Sequence, residues 1–383
     1  MSPSLSTQRK LGITKRRSQP AIPSTRFRPV LTLLLFAAVC FVAFTNGANA
    51  NFKGVASLYG SGTTSRRMAL AWGTATTFAG SLSAMFLAGG MLQKFSGRGI
   101  VSDSLARSPD FLTAVAIGAA LTSFLATRFG FPVSTTHALV GALTGAGLVG
   151  DWLSGSTLAA AGFTEAGTAD ASALSSAVLD AGRAEGVRFS ALGKQFLYPL
   201  FLSPLVAVVL GAASYAALRW LRWAPDQRSK PLDTFHFFST GAASFARGLN
   251  DTPKMAALLS VSPGVEMHWA FLAVAAAILL GGWLDAENVA ETLGKKVTGM
   301  NPGQGFAASL VTAGLVTTAS LHSWPVSTTH VSVGALTGMG ASTRQARWRK
   351  VAEILLAWVS TVPCAAILAG LALWLLRCLG TPT

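Results

Sequence analysis

Apolar residues fall into ten long runs separated by short polar stretches. The runs cover residues 30–45, 68–92, 111–127, 132–149, 196–218, 235–246, 268–284, 306–321, 325–339 and 354–376. A helix needs about 20 apolar residues to cross a bilayer, and most of the runs approach that length. Lipid offers an open backbone no partner, so continuous helix is the default form for each run. The pattern predicts an all-α polytopic membrane protein. A polar stretch, 219–233, divides the runs into five and five.

The two sets of five repeat in their residues as well as in hydropathy. Pro132-Val133-Ser134-Thr135-Thr136-His137 opens the fourth run and Pro325-Val326-Ser327-Thr328-Thr329-His330 the ninth. Over fourteen positions from each proline, twelve are identical, at an offset of 193 residues (Pro132 to Pro325). A weaker pair recurs in the same order at an offset of 201: Gly47-Ala48-Asn49-Ala50-Asn51-Phe52-Lys53 and Gly248-Leu249-Asn250-Asp251-Thr252-Pro253-Lys254. An odd number of crossings per half inverts the second half relative to the first. The predicted organisation is a basic tail (1–29), a first membrane repeat (30–222), a central cytoplasmic linker (223–233) and a second repeat (234–383). Broken helices are expected at the Gly-Asn motifs, and re-entrant-type hairpins at the Pro-Val-Ser-Thr-Thr-His motifs.

Composition agrees with membrane residence. The 383 residues are 51% hydrophobic and 12% charged, about half the charge of a soluble domain. The net charge of +15 would suit nucleic-acid binding only as a patch on a soluble fold, so a nucleic-acid partner is not expected. Seven basic residues lie in 1–29 (Arg9, Lys10, Lys15, Arg16, Arg17, Arg26, Arg28), a Ser/Thr/Pro-rich tail that reads as disordered. Residues 30–383 therefore carry +8 (15 less 7). An outside N-terminus puts Arg66, Arg67, Arg219, Arg222, Arg228, Lys230, Arg344, Arg347, Arg349 and Lys350 inside, and Asp151, Glu165, Asp170 and Asp180 outside. The tail and Lys94, Arg98 and Arg107 resist that orientation. Residues 1–50 also have the form of a secretory signal ending in Ala48-Asn49-Ala50. Cleavage there would cut into the repeated motif, so the segment is kept as a membrane run. Cys40, Cys364 and Cys378 make no metal or disulfide spacing.

The motifs carry the candidate chemistry. Gly and Pro are poor continuations of a membrane helix, so both Gly-Asn motifs are expected to break theirs near mid-membrane and line an ion site. Asn oxygens and a carboxylate are hard ligands suited to Na⁺, and an acid such as Asp251 at that depth is functional by default; the alternative is an Asp near the interface, solvated or paired with Lys254. Lys53 and Lys254 could neutralise substrate charge, but a lysine in such a place more often snorkels to the interface, and that is the expectation. In the other motif, Ser134 or Thr135 can cap a helix whose N-terminus presents N–H groups and hydroxyls. Two such ends at one centre suit a tetrahedral oxyanion. His137 and His330 fall in the first turn, as proton-sensing or substrate-contacting groups, or as hydrogen bonds that fix the hairpin. Gly141/Gly145 and Gly334/Gly338 have the spacing for close helix approach within the chain, with a homodimer contact as the alternative. No Walker loop and no catalytic triad appears, so the chain is not expected to be an enzyme.

On the duplicated Gly-Ala-Asn-Asp-type and Pro-x-Ser-Thr-Thr-His motifs, residues 30–380 resemble the inorganic phosphate transporter (PiT) family. The resemblance implies a phosphate carrier of inverted repeats, coupled to Na⁺ or H⁺, with no cofactor, in the plasma (bacterial inner) membrane. It implies that Ser134, Thr135, Thr136, Ser327, Thr328 and Thr329 contact the oxyanion, and that Asn49, Asn250 and Asp251 serve the coupling cation. The family pattern places Asp where this chain has Ala50, so one carboxylate of a symmetric pair is missing. A sulfate carrier of the same fold and a non-transporting phosphate-binding sensor are the alternatives.

Overall fold

The computed structural model describes residues 27–164 and 186–379, apart from 224, 225, 227, 228, 261, 263 and 264. The basic tail as far as residue 26, Glu165, Asp170, Asp180 and part of the expected linker lie outside the described residues. Ten long helices match the ten runs: α1 Phe27–Ala50, α2 Arg66–Leu87, α3 Pro109–Arg128, α4 Thr135–Thr164, α5 Tyr198–Trp220, α6 Lys230–Ala256, α7 Met267–Leu284, α8 Pro302–Leu321, α9 Thr328–Ser342 and α10 Trp348–Cys378. Six of the helical segments, those built on α1, α3, α5, α7, α8 and α10, are long and apolar enough to cross a membrane. Among the described residues there is no strand, only isolated bridges. The chain is an all-helical, multi-pass membrane protein.

Local signals set the helix ends. Pro109 and Pro302 stand in the first turns of α3 and α8, where a missing N–H costs nothing. Asn301 and Gln304 close a capping box on α8. At the other ends, Gly130 and Ser323 take the left-handed conformation (φ 70° and 55°). Phe131 N–H then reaches back to Ala126 O (2.9 Å) and Trp324 N–H to Ala319 O (2.7 Å), closing each helix immediately before its Pro-Val-Ser motif.

The outside is apolar, and small and polar residues lie inside among a buried apolar core. On α5, Phe201, Leu205 and Val209 are about two-thirds exposed on a single face, and Ser203, Ala207 and Gly211 are buried on the other. Lipid provides no hydrophobic drive between helices, so packing rests on close backbone approach and internal hydrogen bonds. Gly47 of α1 lies against the Ile278 carbonyl of α7, and Gly248 of α6 against the Thr77 carbonyl of α2. These contacts correspond at the 201-residue offset on both sides. Gly141 and Gly145 of α4 lie against Val362 and Ala366 of α10. Gly334 and Gly338 of α9 lie against Pro204 and Val208 of α5. The Gly-x-x-x-Gly faces are thus used within the chain. Each half's motif helix packs on the last helix of the other half.

One expectation needs correction. The first Gly-Asn motif does end its helix, passing into a 3₁₀ turn at Asn51–Lys53. The second is helical throughout, and α6 gives way only at Ala257–Leu259. Pro253 costs α6 one ladder bond, and the side-chain bonds of Asn250, Asp251 and Lys254 hold the turn around it. Ser229 caps α6, which begins at Lys230 within the expected linker.

Candidate functional site

Ser134 and Ser327 are the caps of the motif helices. Ser134 Oγ accepts from His137 N–H (3.2 Å) and Ser327 Oγ from His330 N–H (3.3 Å). Each cap satisfies one of the free amides of a helix start and is worth about 1 kcal/mol. The two starts meet. Thr329 Oγ1 donates to Val133 O (2.8 Å), and Thr136 Oγ1 to Val326 O (3.4 Å). The imidazoles of His137 and His330 touch edge to face, with centroids 4.5 Å apart. His330 donates from Nδ1 to Leu200 O (2.9 Å), tying α9 to α5. All six hydroxyl residues expected to hold the oxyanion are buried here.

Lys53 and Lys254 are at this centre, which corrects their expected place at the interface. Lys53 is 4% exposed and Lys254 0%. Lys53 Nζ donates to Val133 O (2.7 Å) and Thr329 Oγ1 (2.5 Å). Lys254 Nζ donates to Val326 O (3.0 Å) and Thr136 Oγ1 (2.9 Å). Each lysine joins its own half's motif to the equivalent threonine of the other half. Snorkelling fails because the helix ends here face protein carbonyls, which repay part of the desolvation of an ammonium.

The asparagines take different places. Asn49 clamps the first hairpin: its Nδ2 donates to Thr127 Oγ1 (3.0 Å) and Phe131 O (2.9 Å), and its Oδ1 accepts from Val133 N–H (3.0 Å). Asn250 donates to Ser320 Oγ (3.0 Å), at the position equivalent to Thr127, and accepts from Lys254. Asp251 is 3% exposed and pairs with Lys254 Nζ (3.1 Å) and Arg247 Nε (3.7 Å).

Reading the sequence missed Asn46, Asn51, Thr77, Arg247 and Ser332. Asn46 Nδ2 donates to Asp251 Oδ2 (3.2 Å) and to Thr135 Oγ1 (2.7 Å), linking the acid to the first motif helix. Ser332 Oγ donates to Lys53 O (2.8 Å). Two signals were available. Arg247 stands one helical turn before Asp251 on the same face, and Asn46 and Arg247 occupy equivalent positions at the 201-residue offset. The arrangement brings together two lysines, six hydroxyl residues and two helix N-termini, with a buried carboxylate beside them.

The model of the phosphate transporter family matches residues 46–369. A probable low-affinity inorganic phosphate transporter of Rhizobium meliloti (strain 1021) is 28% identical over 356 residues, spanning 88% of this chain and 94% of the relative. One of the same name from Bacillus subtilis (strain 168) is 24% identical, spanning 91% of this chain and 98% of the relative. A solved structure named "The sodium-dependent phosphate transporter" superposes with a TM-score of 0.70 at 21% identity, over 91% of this chain and 99% of that one. That likeness is one of fold.

Proposed function

The chain belongs to the phosphate transporter family, and from that premise we propose that it is a secondary carrier of inorganic phosphate. It works by alternating access around the buried centre between α4 and α9, in the bacterial plasma membrane. Uptake is coupled to Na⁺ or H⁺, and the halves are inverted repeats with the N-terminus outside. The observation that carries the reading is the pair of equivalent helix starts joined crosswise by Lys53 and Lys254. Two helix dipoles and two ammonium groups suit a dianion. Ser134, Thr135, Thr136, Ser327, Thr328 and Thr329 supply directional donors for a tetrahedral ion. Moving one bundle of helices against the other would expose the centre to alternate sides.

The experiment is uptake of radiolabelled phosphate into proteoliposomes of the full chain, with sulfate in parallel. Gradient-driven accumulation of phosphate in preference to sulfate is expected. Accumulation of sulfate alone would make the chain a sulfate carrier. Binding with no movement of either ion would make it a sensor.

A further inference from the structure

Arg247 sits in a cage of oxygen atoms. Its Nη2 donates to Asn46 Oδ1 (2.7 Å) and Asn46 O (3.2 Å). Its Nη1 donates to Asn51 Oδ1 (3.4 Å) and Thr77 Oγ1 (3.3 Å). Its Nε faces Asp251 Oδ2 at 3.7 Å. The side chain is 1% exposed. One carboxylate, shared with Lys254 Nζ at 3.1 Å, one backbone carbonyl, two amide oxygens and one hydroxyl therefore converge on the guanidinium. That is a hard-oxygen set, of the composition that holds a small metal cation in a membrane. Here a guanidinium fills it, permanently charged and covalently tethered. The cage touches the oxyanion centre directly, since Asn46 donates to both Asp251 and Thr135. The equivalent positions in the first half, Asn46 and Ala50, carry neither the cation nor the acid.

We infer that Arg247 is a resident counter-cation standing where a coupling Na⁺ would bind, so that phosphate movement through this chain does not require Na⁺. The inference deepens the carrier reading and rests on it. A bound Na⁺ would balance Asp251 and orient Asn46 toward Thr135 only while it stayed bound. The guanidinium orients Asn46 permanently and shares the balancing of Asp251 with Lys254, and it cannot be picked up on one side and released on the other. Shortening the side chain to alanine leaves the five oxygens and removes the charge, which turns the cage into a Na⁺ site.

The test uses the full chain and Arg247→Ala, with two measurements. Phosphate–phosphate exchange in proteoliposomes reports carrier activity without any driving gradient. Thermal unfolding in detergent, with K⁺ replaced by Na⁺, reports cation binding. The wild type is expected to exchange phosphate at the same rate in both salts and to unfold at the same temperature. Arg247→Ala is expected to exchange slowly in K⁺, to be stimulated about 5- to 150-fold by Na⁺, the usual span of coupling between sites, and to unfold at a higher temperature in Na⁺. Wild-type exchange that depends on Na⁺ overturns the inference. So does an Arg247→Ala protein whose unfolding temperature ignores Na⁺, whether or not it exchanges phosphate. Wild-type protein that exchanges no phosphate in either salt overturns the carrier reading instead, and the unfolding measurement still decides the cage.

Discussion

Lys53 and Lys254 occupy equivalent positions and make equivalent cross-half bonds, yet their electrostatic surroundings differ. Lys254 also neutralises Asp251 at 3.1 Å. Lys53 has Ala50 where Lys254 has that acid, and its recorded partners are a carbonyl and a hydroxyl. Replacing Lys254 with methionine keeps most of the volume but strips the carboxylate of its nearer partner. Breaking a buried pair costs about 3–5 kcal/mol, and the lower end applies because Arg247 still faces the acid. Replacing Lys53 leaves only neutral groups without a donor, at about 1–2 kcal/mol. Lys254→Met is therefore expected to be the less stable variant, and both to lose phosphate binding. Denaturant unfolding in detergent measures the first point and equilibrium binding of labelled phosphate the second. Equal losses of stability would mean that the acid contributes nothing to the difference.

At the scale of helices, the packing depends on backbones that touch. The methyl group of an alanine at Gly338 would fall on the Val208 carbonyl of α5, and backbone cannot swing aside as a side-chain tip can. Gly338→Ala is expected to destabilise by about 1–3 kcal/mol, the range for overpacking. Gly314 lies in α8 with open space where a methyl group would stand, and Gly314→Ala is expected to be neutral or to stabilise by up to about 1 kcal/mol through helix propensity. Unfolding temperatures of the two variants check both. The contrast also explains what the sequence could disclose. Hydropathy reports faces that touch lipid, so the ten runs are legible in it, while the repeated motif offers Ser134 or Thr135 as the first cap, and the structure takes Ser134. Packing partners leave no trace in hydropathy. That α4 would lie on α10 and α9 on α5, and that Asn49 would be drawn to the hairpin turn, could not be read from spacing. The burial of Lys53 and Lys254 was hidden for the same reason, because the carbonyls they reach lie 80 and 72 residues away in the chain.

Across the whole molecule, corresponding positions of the two halves differ in polarity. Lys53, Ser57, Ser309, Thr312 and Ser332, together with Ala56, Ala308 and Leu336, line a cavity of about 10 Å³, at the lower limit for one water. Ser239 continues it from Ser309 (2.6 Å), and His236 runs from Ser57 (2.8 Å) to Thr63 (3.1 Å) in the 61–65 loop. At the matching positions of the other half stand Leu35, Ala38, Ala116, Ala119, Leu139 and Leu258, all buried in one apolar cluster. Hydroxyls and an imidazole can be wetted at small cost, whereas the apolar cluster excludes water on the Lys254 side. In an alternating-access cycle the polar side is therefore expected to open first from this conformation. Ser309→Cys and Ala116→Cys, each in a chain whose Cys40, Cys364 and Cys378 are replaced, test this with a water-soluble thiol reagent. The cysteine at 309 is expected to react from the side of the 61–65 loop and to be slowed by phosphate, while the one at 116 stays unreacted. Equal reaction at both positions would mean that this asymmetry of side chains does not set which side of the centre admits water.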